Sequence, residues 1–377
     1  MPNIQSRHCG LLSLANETLG EISSYLTRKP NDFSSFMTTC KRLDEVIAPV
    51  RYTSLTVEGP QGRHLLATLL SGSKTSIRYR LLVKRVWFRG YHDRELYLNV
   101  ILLAELLQHT LNLIVLWMET SSLDNDRVVS RMRRFGVVRE SLHPAFSIDD
   151  MTSDEGAMTP LTLPKLKYFR LSGSPKLLAV VHHRCIVELD VVNITMDHDE
   201  FATFVSTAEG TLLGDHLEIL ELRLATVVDI ELATYSLSRA FPKLRSLSLE
   251  QTSIDIKTVL QLLGATSPVF PNLRNFWLNK VYTYRLTQGN RLPVIAGVTR
   301  AYARVLFVTI AQNHKCLVLV GLGRNLFRAG DDGYFRHRLL HNSDDVWSDI
   351  FNEQFDELLM PVSYPYSSLP PRLFEDD

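Results

Sequence analysis

The residues of this chain that could do acid–base, metal or nucleophilic chemistry do not stand at the spacings that such chemistry needs. His182-His183 has no companion metal ligand at helical spacing, and the chain contains neither H-E-x-x-H nor the nucleophile motif G-x-S-x-G. The carboxylate pairs Asp331-Asp332 and Asp344-Asp345 are typical of a loop and a helix cap. We therefore predict no catalytic residue, no metal site and no cofactor, and we expect that the protein is not an enzyme.

Composition narrows the class of protein further. The 377 residues are 45% apolar and 22% charged, with 41 basic and 41 acidic side chains, which is typical of a folded protein without a nucleic-acid-binding field. Four cysteines stand far apart without a C-x-x-C pair, as expected for reduced thiols. No run approaches the roughly 18 apolar residues of a membrane span, and no secretory signal is evident. We expect an intracellular protein of the cytoplasm or nucleus with neither membrane nor nucleic acid as a partner.

Recognition chemistry is the stronger signal, because tryptophans recur at one position of a repeated strand pattern. In each copy the apolar residues lie at i, i+3 and i+5, so period-two geometry turns i+2, i+4 and i+6 to the opposite face. Three of the four tryptophans occupy the i+4 position, and Trp and Arg dominate binding hot spots. We predict a target-binding face that includes Trp87, Trp117, Arg170, Glu221 and Trp277. Arg89, Glu119, Glu188 and Asp190 fall at other such positions. The alternative is that the C-terminal tail or an insertion covers this face.

The strand pattern behind these positions is an irregular L-x-x-L-x-L repeat. Its copies start at Tyr52, Val83, Leu113, Leu166, Ile186, Leu217, Leu244 and Leu273. The steps run from 20 to 31 residues apart from one of 53, close to the leucine-rich-repeat range. A proline precedes several copies, as in Phe241-Pro242-Lys243-Leu244, at an entry position where its missing N–H costs no ladder bond. Helical patterns lie between the strands, so we predict a solenoid with a parallel β-sheet.

A doubly wound α/β fold also alternates strands and helices and is the alternative to the solenoid. Gly321-Leu322-Gly323 lacks the third glycine of a dinucleotide-binding fingerprint, which favours the solenoid. A hydrolase-like α/β enzyme is a further alternative, and it would show a buried polar pocket instead of an interaction surface.

The first fifty-odd residues carry three short amphipathic helical patterns. Leu19, Ile22 and Leu26 recur at helical spacing, and Glu17 falls in the first turn, where the helix dipole favours a carboxylate. The second and third stripes are formed by Phe33, Phe36, Met37 and Cys40, and by Leu43, Val46 and Ile47. These helices would form a unit ahead of the repeats, and the alternative is a helical cap for the solenoid.

The order of residues in this segment resembles the F-box family over residues 11–57. The matching stretches are Leu14-Ala15-Asn16-Glu17, Cys40-Lys41-Arg42-Leu43 and Tyr52-Thr53-Ser54-Leu55, with Ala15 where the family usually has proline. By this resemblance, a Skp-type adaptor, and through it a cullin, would be bound by Leu14, Ala15, Leu19, Ile22, Phe36 and Met37. The whole chain is similar to fungal-type F-box proteins with divergent leucine-rich repeats. This implies a substrate-recruiting subunit of a Skp–cullin–F-box ubiquitin ligase, whose protein substrate is unknown; the alternative is a ligase-independent interaction scaffold.

The predicted fold class is thus α/β, with a three-helix F-box, an irregular leucine-rich-repeat solenoid with a parallel β-sheet, and a helical C-terminal cap. The expected boundaries are 1–57, 58–325 and 326–377, with an insertion at about 120–160. Five arginines in the insertion are expected to form a solvated helix face or, alternatively, a site for an acidic partner or phosphate: Arg127, Arg131, Arg133, Arg134 and Arg139. Ser343 to Leu359 is expected to form the closing helix or, alternatively, a detachable partner-binding helix.

Overall fold

The structure is a computed structural model that divides into two compact units. The first contains Met1–Ile194 and Thr211–Leu213, and the second contains Thr195–Gly210 and Gly214–Asp377. The boundary between them lies inside the segment expected to form the repeats. Within these units the structure describes residues 10–26, 35–90, 96–120, 125–138, 162–251, 269–279, 316–322, 325–329 and 335–339.

The first unit begins with helices that pack on one another. Its described N-terminal elements are a 3-10 turn (Leu11–Ser13), α1 (Asn16–Leu26), a helical turn at 35–38 and α2 (Lys41–Tyr52). Arg42 Nη2 donates to the Leu14 carbonyl at 2.7 Å and to Asn16 Oδ1 at 3.0 Å. These bonds fix α2 to the start of α1, while Leu19 and Ile47 are buried. Helices are therefore present where the three amphipathic patterns predict them.

Five strands of the first unit pair in parallel, each with the strand before it in the chain. They are β1 (Ser54–Glu58), β2 (Arg85–Arg89), β3 (Val115–Glu119), β4 (Tyr168–Ser172) and β5 (Glu188–Met196). The helices that connect them are α3 (Gly59–Leu70), α4 (Lys74–Leu82), α5 (Leu96–His109), α6 (Asn125–Arg134) and a 3-10 helix (Pro175–Val180). Parallel neighbouring strands need such crossover connections, because the chain must return to the end of the sheet at which every strand begins.

The pairing register aligns the apolar positions of the repeat across the first unit. One row runs through Leu55, Val86, Leu116, Phe169 and Leu189, and all five side chains are buried. The second row, two residues further along each strand, is Val57, Phe88, Met118, Leu171 and Val191, and it is buried too. Each such side chain contributes roughly 1.5–3 kcal/mol by leaving water. The i+3 and i+5 positions therefore form the core, and a one-residue slip would expose every one of them.

The second unit repeats this arrangement and then changes direction. Its described helices are α7 (His198–Ala208), α8 (Leu212–His216, whose first two residues belong to the first unit) and α9 (Ile230–Ala240). Its described parallel strands are β6 (Ile219–Leu224), β7 (Ser246–Glu250), β8 (Asn275–Asn279) and β9 (Leu319–Leu322). Two antiparallel strands follow, β10 (Asn325–Ala329) and β11 (Phe335–Leu339). Leu220, Leu247, Phe276 and Val320 form one buried row.

The predicted mixed α/β class and the parallel pairing of the repeat strands are confirmed. The region after residue 325 differs from the expectation, because β10 and β11 lie in the segment expected to form a helical cap. Several expectations concern residues outside the described ranges. They are the helix expected from Ser343 to Leu359, the position of Phe33, and Arg139 with the acidic stretch of the insertion. No helix in the described part of the chain is long and apolar enough to cross a membrane.

Candidate functional site

Four consecutive strands of the first unit each place one recognition residue in a single row. The register aligns Trp87 on β2 with Trp117 on β3, Arg170 on β4 and Asp190 on β5. We call these four residues the Trp–Arg row. It forms because the i+4 residues of parallel strands in register become neighbours, at about 4.8 Å from strand to strand.

The two indoles of the row stack on each other, and arginines cover their outer faces. The ring centroids of Trp87 and Trp117 are 4.4 Å apart, and the planes differ by 10°. The Cζ atom of Arg170 lies 4.2 Å from the Trp117 centroid, and that of Arg89 lies 4.5 Å from the Trp87 centroid. Because each indole has two faces and the inner ones meet, both aromatic faces of the pair are occupied. A partner would therefore contact the edges of the rings and the guanidinium groups.

A network of charged side chains holds the β2 end of the row. Trp87 Nε1 donates to Glu119 Oε1 at 3.1 Å, and Arg89 Nε lies 3.8 Å from Glu119 Oε2. Arg89 Nη1 reaches Glu58 Oε2 at 3.3 Å on the outer strand. The side chains of Arg89 and Glu58 are 44% and 60% exposed, so their charge is open to solvent at this end.

The β5 end of the row is buried and acidic. Arg170 Nε lies 3.0 Å from Asp190 Oδ2, and Glu188 stands two residues before Asp190 on the same strand. Both carboxylates are buried. Burial raises the pKa of Glu188 to about 8, with a further rise from Asp190 and a reduction from Arg170. Burial also raises the pKa of Asp190, against the lowering effect of Arg170. One guanidinium therefore faces two carboxyl groups in a desolvated setting.

No protein-family model matches this chain, and no curated protein matches it.

Of the five predicted target-binding residues, the structure brings together Trp87, Trp117 and Arg170. Glu221 and Trp277 belong to the second unit, where the register places both in one row with Ser248. The Trp277 side chain is only 1% exposed, so it is part of the core of its unit. Burial of this ring depends on what packs against the strand, which its spacing in the sequence does not reveal.

The six predicted adaptor-binding residues divide between surface and core. Ala15 is exposed, and Leu14, Ile22 and Phe36 are half-buried. Leu19 and Met37 are buried at 0% and 7% exposure. In this structure the accessible part of the predicted surface is therefore Leu14, Ala15, Ile22 and Phe36.

The carboxylate that pairs with Arg170 and one exposed aromatic ring lie outside the predicted set of site residues. Asp190 falls on the predicted face, but nothing in its spacing indicates that it pairs with Arg170. Tyr25 on α1 is 81% exposed, the largest exposure among the described large apolar side chains. The sequence places Tyr25 three residues after Ile22, next to the first helical stripe, and this position indicates that its ring lies beside the predicted adaptor-binding residues.

Other groups with potential chemistry are isolated in the described structure. Burial and the neighbouring His183 lower the pKa of His182 to about 4, so the imidazole is neutral. Cys40, Cys185 and Cys316 are free thiols. Among the described residues, no cluster of three or more His, Cys, Asp or Glu side chains could hold a metal ion. The chemistry that the described residues bring together most densely is the stacked, charged row, which suits recognition.

Proposed function

We propose that this protein is a substrate-recruiting subunit of a Skp–cullin–F-box ubiquitin ligase. The observation that carries the proposal is the Trp–Arg row, a preorganised recognition surface on a sheet that directly follows an F-box-like helical segment. Only Thr53 separates the end of α2 from the first residue of β1. Residues 11–57 would bind the adaptor, and the row would bind the target.

We infer that the repeats form an irregular leucine-rich-repeat solenoid. Two features support this: strand order follows the chain within each unit, and apolar rows align at the i+3 and i+5 positions. In a doubly wound sheet the order of the strands reverses at one point. In each unit of this structure, by contrast, every described parallel strand is added on the same side as the strand before it. The boundaries 1–57, 58–325 and 326–377 belong to this proposal, as does a location in the cytoplasm or nucleus.

The mechanism would be proximity. A ligase subunit of this kind holds a target beside the ubiquitin-conjugating enzyme, which raises the effective concentration of its lysines without side-chain catalysis. The row suits this role because stacked, ion-paired side chains are already ordered and lose little conformational entropy on binding.

Co-purification of the full chain with a Skp-type adaptor tests the proposal. Ile22→Asp and Phe36→Asp place a carboxylate on the accessible part of the predicted docking surface, and we expect either change to weaken the complex at least about tenfold because desolvating that charge is costly. Leu19→Asp is unsuitable, since Leu19 is fully buried and the change would unfold the segment. Leu232→Asp on α9 is the matched control, because Leu232 is 59% exposed in the second unit.

The outcome of this co-purification distinguishes a ligase subunit from a ligase-independent scaffold. A wild-type complex that the control retains and Ile22→Asp loses, with unchanged circular dichroism, would support the adaptor role. Absence of any complex with the wild type would contradict it.

A ligase-independent interaction scaffold is the second candidate function. One observation favours it: Leu19 and Met37 lie in the core, so less apolar surface remains for an adaptor than the F-box resemblance implies. In that case the Trp–Arg row would still bind a partner, and the N-terminal helices would serve to cap the sheet.

A further inference from the structure

β1 is the edge strand of the first unit, since the order of the described strands begins with it and continues with β2. Arg85 N donates to the Thr53 carbonyl at 3.0 Å, which fixes the side of β1 that faces β2. In a parallel ladder alternate residues bond to the same neighbour, so the backbone groups of Ser54, Thr56 and Glu58 point away from β2. All three residues are exposed. This edge is therefore accessible to a further strand, the arrangement known as β-strand addition.

The stack of the Trp–Arg row ends at the same edge. Trp117 occupies the β3 side of the Trp87 ring, so the Arg89 guanidinium, 4.5 Å from the Trp87 centroid, lies on the β1 side. The residue of β1 aligned with Trp87 is Thr56, whose small side chain leaves room for Arg89. The stacked groups are 4.2 to 4.5 Å apart, close to the roughly 4.8 Å between strands. The next planar group would therefore lie above a strand added to β1, against Arg89, whose side chain is 44% exposed.

The charges two residues further along the strands alternate in sign up to this edge. The register aligns Glu58, Arg89 and Glu119, and Arg89 lies 3.3 Å and 3.8 Å from oxygens of the two carboxylates. The outermost group of this series is Glu58, and its side chain is 60% exposed. Opposite charges on neighbouring strands stabilise the pair, and like charges destabilise it. A basic residue on an added strand would therefore continue the alternation beside Glu58.

We propose that the edge of β1 binds an extended segment of the target polypeptide as an added parallel strand. This inference rests on the proposed role of the Trp–Arg row as the target-binding surface. An aromatic residue of the segment, aligned with Thr56, would stack on Arg89, and a lysine or arginine two residues later would pair with Glu58. Backbone bonds to the edge would supply affinity, and these two side chains would supply specificity. The parallel direction continues that of the described strands of the unit, and it makes the basic residue follow the aromatic one.

The test uses the full chain and the peptide fluorescein-Thr-Val-Tyr-Val-Lys-Thr-amide, whose fluorescence anisotropy reports binding. We expect saturable binding, and alanine in place of the tyrosine or glutamate in place of the lysine should each weaken it about threefold or more. The reversed sequence, with lysine before tyrosine, should also bind more weakly. N-methylation of both valines should weaken binding at least about tenfold, because their N–H groups would donate to the edge carbonyls.

Thr56→Pro tests the edge from the side of the protein. Proline removes the outward N–H of Thr56 and leaves the ladder with β2 intact, which is why edge strands tolerate it. We expect this variant to lose peptide binding with an unchanged circular dichroism spectrum. Glu58→Lys should reverse the charge preference, so that the glutamate peptide binds more tightly than the lysine peptide. Arg239→Met is the control, because Arg239 is 76% exposed on α9 of the second unit, and it should bind the peptide as the wild type does.

The proposal is overturned if the wild type shows no saturable binding, or if the N-methylated peptide, the reversed peptide or Thr56→Pro gives the wild-type affinity. If Thr56→Pro fails to fold, Glu58→Lys decides, and an unchanged charge preference in that variant refutes the site. A wild-type dimer that Thr56→Pro converts to a monomer, without peptide binding by either, would assign the edge to a second copy of this chain and refute the proposal.

Failure of this site is distinct from failure of the proposed function. A chain that binds a Skp-type adaptor but not the peptide refutes the edge site alone. A chain that binds the peptide in the expected order of affinities but binds no adaptor retains the edge site and refutes the ligase role.

Discussion

At the scale of single residues, Arg170 holds the row together. It covers the outer face of Trp117 at 4.2 Å and pairs with the buried Asp190 at 3.0 Å. A guanidinium can do both at once because its plane stacks on a ring while its positive charge pairs with a carboxylate. Loss of Arg170 would therefore expose an indole face and leave a buried carboxylate without its counter-charge.

Arg170→Met is expected to lower the free energy of unfolding by about 3–5 kcal/mol, because one partner of a buried pair is removed. The double variant Arg170→Met with Asp190→Asn should recover much of this loss, since the uncompensated charge is gone. Urea denaturation followed by circular dichroism gives both values. Arg239→Met is the control: its pair with Glu209 is 76% and 40% exposed, so at most about 1 kcal/mol should be lost. Equal losses at the buried and exposed pairs would contradict this account of the row.

At the scale of elements, a contact between α2 and α4 fixes the N-terminal helices to the helix that leads into β2. Tyr52 and Tyr79 stack with centroids 4.1 Å apart, and both Tyr79 Oη and Arg78 Nη2 donate to the Asp44 carboxylate. Burial and the bond to Asp44 raise the pKa of Tyr79 to about 12. If residues 11–57 bind an adaptor, this contact transmits their orientation to the repeats.

Tyr79→Phe keeps the ring stack and removes the hydroxyl that donates to Asp44. We expect a loss of about 1–2 kcal/mol in the free energy of unfolding, because the bond is to a charged acceptor. The matched change Tyr235→Phe on α9, where Tyr235 is 46% exposed, should stay within about 0.5 kcal/mol. A spectrophotometric titration adds a check: Asp44→Asn should lower the high phenol pKa of Tyr79. If Tyr79→Phe behaves like Tyr235→Phe, the contact does not stabilise the fold.

At the scale of the whole molecule, basic and acidic residues are equal in number, so we expect a few buried titratable groups to dominate the pH dependence of stability. The chain has 41 basic and 41 acidic residues, so near neutral pH general charge repulsion is small. Glu188 stands out, because its pKa rises from 4.5 in the unfolded chain to about 8 in the folded one. Between these values the folded protein binds more protons at Glu188 than the unfolded chain does.

Stability from Glu188 is therefore expected to fall as pH rises from about 5 to about 8 and to level off above that. The sign follows because the unfolded state binds fewer protons across this window, so raising the pH favours unfolding. Urea denaturation at pH 5, 7 and 9 measures the slope, and Asp190 should act in the same direction. Glu188→Gln removes one titrating carboxyl and should flatten the curve. An unchanged slope in that variant would show that other groups carry the pH dependence.

Local pattern in the sequence predicted the eight strands from β1 to β8 and the side of each strand that is apolar, but it did not predict β9, β10 or β11. The i, i+3, i+5 spacing predicted the buried rows around Leu116 and Leu247, and the i+4 position correctly grouped Trp87, Trp117 and Arg170. These features can be predicted from the sequence because the alternation of side chains along a strand depends only on a few consecutive residues.

Tertiary structure alone decided which of those side chains are exposed to solvent and which other side chains they contact. It buried Trp277, Leu19 and Met37, paired residues 325–329 and 335–339 as antiparallel strands, and set Asp190 against Arg170. Burial depends on the elements that pack above a position, and pairing depends on the register between strands that stand 20 residues apart here. The sequence alone therefore determined the face that bears the row, while the strand register decided that this row is a continuous stack with two buried carboxyl groups at its end.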